Sequence, residues 1–116
     1  MTMDYITALN HIELDLQEVK RILDIITNNC MGSIRSNEEL GDEYIRLMEL
    51  YNSLERRRST IRYNDKADAV RHHRITEKVR KSAEVLLKIC IAWNEVVLDD
   101  FHHKTKLIAK NNKYHL

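Results

Sequence analysis

The chain has 116 residues, of which 43% are hydrophobic and 32% charged, and its formal net charge at pH 7 is +1. This length and composition predict one folded domain with its own core, and they exclude both intrinsic disorder and a small disulfide-dependent scaffold. Because proline is absent and there are only two glycines, we expect a few long helices joined by short connections.

Neither a membrane span nor a secretory leader is predicted. No apolar run reaches the roughly 18–20 residues that a bilayer-crossing helix needs, and early acids replace the basic leader of a signal peptide. Cys30 and Cys90 both fall on apolar helix faces. We therefore predict a cytoplasmic protein without a membrane partner, whose two thiols are buried and reduced, with a Cys30–Cys90 disulfide as the alternative.

The first predicted helix covers about residues 4–28 and carries the strongest periodic pattern in the chain. Apolar residues recur at alternating spacings of four and three, which is typical of a helix that packs along one seam. This seam consists of Tyr5, Leu9, Ile12, Leu16, Val19, Leu23, Ile26 and Cys30. Ile6 and Ile22 widen it, so that two neighbouring helices could be contacted, and Gly32 is expected to mark the end of the helix.

The second helix is predicted over about residues 37–61. Ser36 or Asn37 can cap its start, and the acids that follow suit the positive end of the helix dipole. Its apolar seam consists of Leu40, Tyr44, Leu47, Tyr51, Leu54 and Ile61. A basic run at residues 56–58 is favourable at the C-terminal end of a helix, so the helix is expected to end near there.

The third helix is predicted over about residues 66–98, after a tight turn in which Asn64 or Asp65 provides the cap. Its apolar face is expected to hold Ile75, Val79, Leu86, Cys90, Trp93 and Val97, with His72 and Ala83 at the margin. A single helix as far as residue 110 would greatly exceed its partners in length. We therefore expect a kink or restart near Asp99–Asp100, which allows a short fourth helix at about 100–111.

Long amphipathic helices with short links predict an all-α fold. Specifically, we expect an antiparallel three-helix bundle that runs up, down and up, and that forms a single domain over residues 1–116. We find no internal repeat, linker or low-complexity tract that would divide the chain.

Charge is unevenly distributed, since residues 1–55 carry eleven acids and four bases whereas residues 56–81 carry ten bases and three acids. The predicted bundle gathers these bases at one pole. The candidate binding residues are Arg57, Arg58, Arg62, Arg71, Arg74, Lys78 and Lys81. The last four form a stripe along one flank of the third helix, which continues as Val85, Ile89 and Val96, and we expect that continuation to be more deeply buried.

The favoured function is non-enzymatic: a small regulator or adaptor that binds a macromolecular partner through the basic pole. Such a protein could modulate or inhibit a larger protein or nucleoprotein complex with an anionic surface. Sequence-independent nucleic-acid binding by the same stripe is the alternative, and a solvated helix face would explain the charges without any partner. The regular seam and the length of the third helix also predict self-association into a homo-oligomer.

No catalytic, metal-binding or cofactor-binding residue is predicted. Asp99, His102 and His103 do have the carboxylate-x-x-His spacing of helical metal sites, but such a site also needs carboxylates from facing helices. The scarcity of glycine excludes a phosphate-cradling loop. No Ser/His/Asp or Cys/His constellation is legible.

One short motif resembles an enzyme family. The string EELGD at residues 38–42 is similar to the second acidic motif, E-x-x-D, of MazG-type nucleotide pyrophosphohydrolases. The resemblance implies an all-helical fold in which acids from two helices hold magnesium against nucleotide phosphates. The upstream E-x-x-E motif would correspond to Asp15-x-x-Glu18, whose first residue departs from the pattern, and the predicted hairpin places Asp42 opposite Asp24.

Overall fold

The computed structural model describes residues 4–60 and 66–115, and within these ranges it describes the side chains of residues 4–58 and 66–94. The described chain forms four α-helices and no strand. They are α1 (Tyr5–Asn29), α2 (Met31–Ser36), α3 (Glu38–Thr60) and α4 (Lys66–His115). Each helix packs against the others, which confirms the predicted all-α class.

The ends of α1 are fixed by local hydrogen bonds. The carboxylate of Asp4 caps the first turn by accepting a hydrogen bond from the backbone N–H of Thr7 at 2.7 Å. At the other end, the N–H of Cys30 donates to the carbonyl of Ile26 at 2.8 Å. Gly32 was expected to end the helix but lies inside α2 without a positive φ, so this turn does not depend on a glycine.

A short helix, α2, occupies most of the predicted first connection. Asn37 then caps α3, as predicted, because its Oδ1 accepts from the backbone N–H groups of Glu39 at 3.0 Å and Leu40 at 3.3 Å. Gly41 lies close to α2, where a Cβ atom would be 3.2 Å from the carbonyl oxygen of Ile34. The glycine therefore lets the start of α3 approach the α2 backbone.

One continuous helix of 50 residues, α4, accounts for the last part of the chain. The predicted restart near Asp99–Asp100 does not occur, and residues 100–111 belong to α4. Aspartate inside a helix costs much less than proline does, and no proline or glycine is present in this segment to interrupt the backbone hydrogen bonds. The molecule is accordingly elongated, with principal extents of 75 × 27 × 19 Å.

Side-chain pairs show in which direction the long helices pass one another. Pairs between α1 and α4 advance in the same direction along both helices: His11 with His73, Asp15 with Thr76, and Asn29 with Asn94. Pairs between α1 and α3 advance in opposite directions: Thr27 with Tyr44, Lys20 with Tyr51, and Glu13 with Arg58. The starts of α1 and α4 and the end of α3 therefore lie at one end of the molecule.

The core contains most of the predicted α1 seam. From this part of the chain it takes Cys30, which directly follows α1, and six apolar residues of α1: Ile12, Leu16, Val19, Ile22, Leu23 and Ile26. Tyr5 and Leu9 are half-buried, whereas Ile6 is 70% exposed and does not widen the seam. From the other long helices, the core takes Leu40, Leu47, Leu54, Val79, Ala83, Leu86 and Cys90.

The buried face of α4 agrees in part with the predicted one. Val79, Leu86 and Cys90 are buried as predicted, and the side chain of Val97 lies outside the described set. Ile75 and Trp93, expected in the core, are 48% and 38% exposed. Small and polar side chains take positions on the face that packs instead, among them Ala69, Ala83 and Thr76, each of which is 0% exposed. Small residues let a neighbouring helix come close, so the face that packs is not the face with the largest apolar side chains.

Candidate functional site

The predicted basic pole is built from the start of α1, the end of α3 and the start of α4. A backbone hydrogen bond from Thr7 lowers the pKa of Asp4, and the nearby charge of Lys66 lowers it further. Burial lowers the pKa of His72, and the charge of Arg57 adds to this effect. These electrostatic interactions place Lys66 of α4 close to the start of α1, and Arg57 of α3 close to the start of α4.

The basic stripe consists of Arg71, Arg74, Lys78 and Lys81, all of which are exposed on α4. Its two outer residues are neutralised locally. Arg71 is hydrogen-bonded to Asp68 one turn earlier, and Nζ of Lys81 lies 2.9 Å from Oε1 of Glu77. Such exposed pairs within one helix contribute little to stability.

The two central residues of the stripe differ from the outer two. Within the described ranges, neither Arg74 nor Lys78 has an ion-pair or hydrogen-bond partner on its side chain. Both are exposed and lie four residues apart, so they point the same way from adjacent turns. The fold therefore makes no visible use of these two charges.

The other candidate bases are less uniform. Arg57 is exposed at the end of α3, next to the stripe's helix. The guanidinium of Arg58 is hydrogen-bonded to Glu55, which raises the pKa of Arg58. Arg62 lies outside the described residues.

A groove between the start of α3 and the middle of α4 was not predicted from the sequence. It has a volume of about 460 Å³ and is lined by Glu39, Leu40, Glu43, Lys81, Ser82, Val85, Leu86 and Ile89. We call this set the apolar groove. Leu40 and Leu86 are buried, at 7% and 2% exposure, whereas Val85 and Ile89 are 54% and 46% exposed. The prediction that the flank of α4 becomes buried beyond the stripe is therefore wrong for these two residues.

The basic stripe and the apolar groove form one row along α4. Residues 71, 74, 78, 81, 85 and 89 follow one another at spacings of three or four, which keeps them on one side of a helix. The row spans about 27 Å at a rise of about 1.5 Å per residue. The spacing of these residues predicts the row. It also predicts that the apolar part is more deeply buried, because nothing in the sequence shows where α3 stops covering α4.

A buried polar cluster between α1 and α4 was also missed. Nε of Arg80 donates to Oδ1 of Asp15 at 2.9 Å, and the hydroxyl oxygen of Thr76 lies 3.2 Å from Oδ2. Nε2 of His73 lies 3.4 Å from the same oxygen. Nη1 of Arg80 also donates to Glu84 of α4 at 2.7 Å, which adds a second acceptor for this guanidinium. Its members lie beside the apolar seams, where periodicity alone does not distinguish them from surface charges.

The two cysteines are free and buried, as the reduced-thiol prediction expected. Burial raises the pKa of Cys30 and raises the pKa of Cys90 to about 11, with the nearby Cys30 adding to the effect on Cys90. Thiolates are the reactive form of cysteine, so neither position has the character of a nucleophilic site.

The acids of the pyrophosphohydrolase-like motif are separated by their interactions. Asp15 belongs to the buried cluster, and Glu18 is bound by Arg21, which lowers the pKa of Glu18. Among the described side chains, no group of three or more His, Cys, Asp or Glu residues is arranged to hold a metal ion. The side chains of Asp99, His102 and His103 lie outside the described set. The hydrolase interpretation stays a prediction, to be checked by magnesium-dependent turnover of a nucleotide panel.

Two further observations concern the chain as a whole. In the part of the chain that the structure describes, no helix is both long enough and apolar enough to span a bilayer. Comparisons with protein-family models, curated proteins and solved structures find no significant match. Function is therefore inferred from the geometry of the molecule itself.

Proposed function

We propose that the protein is a non-enzymatic regulator or adaptor that binds a protein or nucleoprotein partner with an anionic surface through the basic stripe of α4. The observation that carries this proposal is a pair of exposed cations, Arg74 and Lys78, at the centre of the stripe, neither of which has an ion-pair partner among the described side chains. Cations that a fold does not use internally are available to attract and orient an acidic partner.

The surroundings of the stripe support the same function. Arg57 and Lys66 extend positive charge around the pole, as their effects on His72 and Asp4 indicate. The order of contacts along the long helices is consistent with the up-down-up antiparallel bundle expected from the sequence. Among the described side chains, the ion pairs of the stripe are made with Asp68 and Glu77 of α4 itself.

The apolar continuation of the stripe favours a protein partner over nucleic acid. Val85 and Ile89 can be desolvated by apolar side chains of a protein, but they offer nothing to phosphate groups. The row also lacks the aromatic side chains on which single-stranded bases stack.

Charge reversal at the centre of the stripe tests the proposal. The variant Arg74→Glu/Lys78→Glu is compared with Lys20→Glu/Arg35→Glu, which reverses two exposed bases outside the row. Each protein is used for affinity capture from a lysate of its native host, treated with nuclease, and partners are quantified by mass spectrometry. We expect the stripe variant to lose its partner and the control to retain it. Equal capture by both variants would contradict the proposal.

Direct nucleic-acid binding is tested separately. Association with a generic duplex and a generic single strand is measured at low and physiological ionic strength. Counterion release would make such binding fall steeply with salt. A steep, stripe-dependent salt effect would favour the nucleic-acid alternative, and no association at either salt concentration would remove it.

A further inference from the structure

We propose that the basic stripe and the apolar groove form one docking site for an amphipathic helix of the partner. The helix would insert two apolar side chains, one turn apart, into the groove, and would place acidic side chains over Arg74 and Lys78. The inference rests on the proposed function, because the same stripe supplies the cations, and it adds the chemistry of the segment that is recognised.

The dimensions of the site suit a helix. The row from Arg71 to Ile89 follows one unbroken helix and spans about 27 Å. A partner helix of about 18 residues has the same length and rise. Side chains three or four residues apart on that helix would therefore meet successive turns of α4 in register.

The groove supplies the apolar part of the recognition. Leu40 and Leu86 are buried, and Val85 and Ile89 stand beside them with about half of their surface exposed. Scattered exposed apolar residues are ordinary on a protein surface. These two lie together in one concavity of about 460 Å³ whose apolar lining also includes the buried Leu40 and Leu86, which is the arrangement that helix-in-groove recognition uses for anchoring side chains.

The charges around the groove specify how the partner must be arranged. Glu39 is exposed on the α3 side, and Glu43 is held there by Arg46, with 2.5 Å between Nη2 and Oε1. Lys81 also lines the groove, but its charge is paired with Glu77. Acids of the partner are therefore attracted less at the groove than at Arg74 and Lys78. This separation of charge predicts a helix whose acids lie about two turns away from its apolar anchors.

The same separation of charge argues against a nucleic acid. A phosphate backbone that followed the whole row would meet Glu39 at the groove, and the aliphatic side chains there cannot stack with bases. A nucleic-acid ligand and a second copy of this chain are the other occupants that the experiment below can reveal.

The experiment selects binders from a library of helical peptides of 18–20 residues, displayed on a neutral scaffold, against the full chain. Sequences are expected to converge on large apolar residues at i and i+4 (or i and i+3) together with Asp or Glu about two turns away. Nuclear magnetic resonance mapping of the best peptide on wild-type protein should then shift the backbone signals of residues 74–89. This mapping requires no substitution, so it tests the site even if a variant fails to fold.

Variants test the two halves of the site independently. Val85→Glu and Arg74→Glu/Lys78→Glu should each weaken peptide binding by about tenfold or more. The matched controls are Leu14→Glu, which alters another exposed apolar residue, and Lys20→Glu/Arg35→Glu. Both should bind within about twofold of wild type. Circular dichroism verifies that every variant is folded.

Several outcomes would overturn the inference. It fails if no helical peptide is enriched, if the enriched peptides lack the apolar pair, or if Val85→Glu binds them as well as wild type does. It also fails if the row proves to bind nucleic acid, or a second copy of the chain in sedimentation experiments. Host-partner capture that depends on Arg74 and Lys78 but not on Val85 would overturn this inference alone, whereas capture independent of all three would overturn the proposed function.

Discussion

At the scale of single residues, burial changes the chemistry of side chains that the sequence shows only as letters. His72 is 2% exposed at the start of α4, and burial, with the charge of Arg57, lowers its pKa below the ordinary value of 6.5. Arg74, two residues further along α4, is exposed and belongs to the row. Positions two residues apart on one helix therefore lie in the core and on the surface.

The lowered pKa of His72 predicts acid sensitivity. Below about pH 6.5 the unfolded chain takes up a proton at this position whereas the folded chain resists it, so the free energy of unfolding should fall between pH 7 and pH 5. Glu18, Glu43 and Glu77 have pKa values below the ordinary 4.5, so their contributions are lost at lower pH than this window. Urea denaturation at several pH values measures the effect.

The variant His72→Gln should flatten this pH dependence, because glutamine does not titrate. Asn10→Gln, at an exposed position on α1, exchanges one uncharged amide for another, so this control should leave the slope in place. A wild-type stability that stays constant from pH 7 to pH 5 would contradict the assignment.

Cys90 should be an unreactive thiol in the folded protein. Because burial raises its pKa from 9.0 to about 11, its thiolate fraction at pH 8 is about 100-fold lower than in the unfolded chain, and access is restricted as well. Labelling with a disulfide reagent should therefore be at least about 100-fold slower before denaturation than after it. The variant Cys30→Ser isolates the rate of Cys90, and rapid labelling of that folded variant would contradict the burial.

At the scale of helices, the polar cluster fixes how α1 sits against α4. The apolar seams of two parallel helices could slide by one turn and still bury apolar residues. Asp15 prevents this, because it finds Thr76 and Arg80 only in the observed register and would otherwise be buried without them. The seams therefore stabilise the pair, and Asp15 selects one alignment.

Removing the carboxylate of Asp15 should be costly. Asp15→Ala removes the acceptor that Thr76 and Arg80 share. Thr76 keeps the carbonyl of His73 and Arg80 keeps Glu84, so the free energy of unfolding should fall by about 2 kcal/mol. Asp24→Ala, on the same helix, removes only the exposed pair with Lys20 and should change stability little. Equal stabilities of the two variants in urea denaturation would show that the cluster does not hold the register.

Some features of the helices were predictable from the sequence, and others were not. The α1 seam was predictable, because large apolar residues at regular spacings do face the core. The buried face of α4 was predictable only in part: Val79, Leu86 and Cys90 follow the apolar periodicity, whereas Ala69 and Thr76 carry no such signal. The basic stripe could be found from spacing alone. The groove could not, because it exists only where Leu40 of α3 meets Leu86 of α4.

At the scale of the whole molecule, the length of α4 determines the shape. A compact chain of this size would have a radius of gyration of about 13 Å, whereas the structure has 20.4 Å. The difference follows from the helix that continues past Asp99–Asp100 to residue 115.

Small-angle X-ray scattering can test this shape. At low concentration, the monomer should have a radius of gyration near 20.4 Å, slightly increased by hydration, and a maximum dimension close to 75 Å. A helix that turned back near Asp99–Asp100 would give clearly smaller values. A concentration series also tests the predicted self-association, since the apparent mass should rise with concentration if a homo-oligomer forms.

The parallel course of α1 and α4 has a practical consequence for where the protein can be held or labelled. A dye or surface anchor attached beside Asp4 would sit among the bases of the pole, near Lys66. One attached at residue 115 would lie about 60 Å along α4 from Arg74, at a rise of about 1.5 Å per residue. Immobilisation through the far end of α4 would therefore present the row to a partner unobstructed, whereas attachment beside Asp4 would screen it.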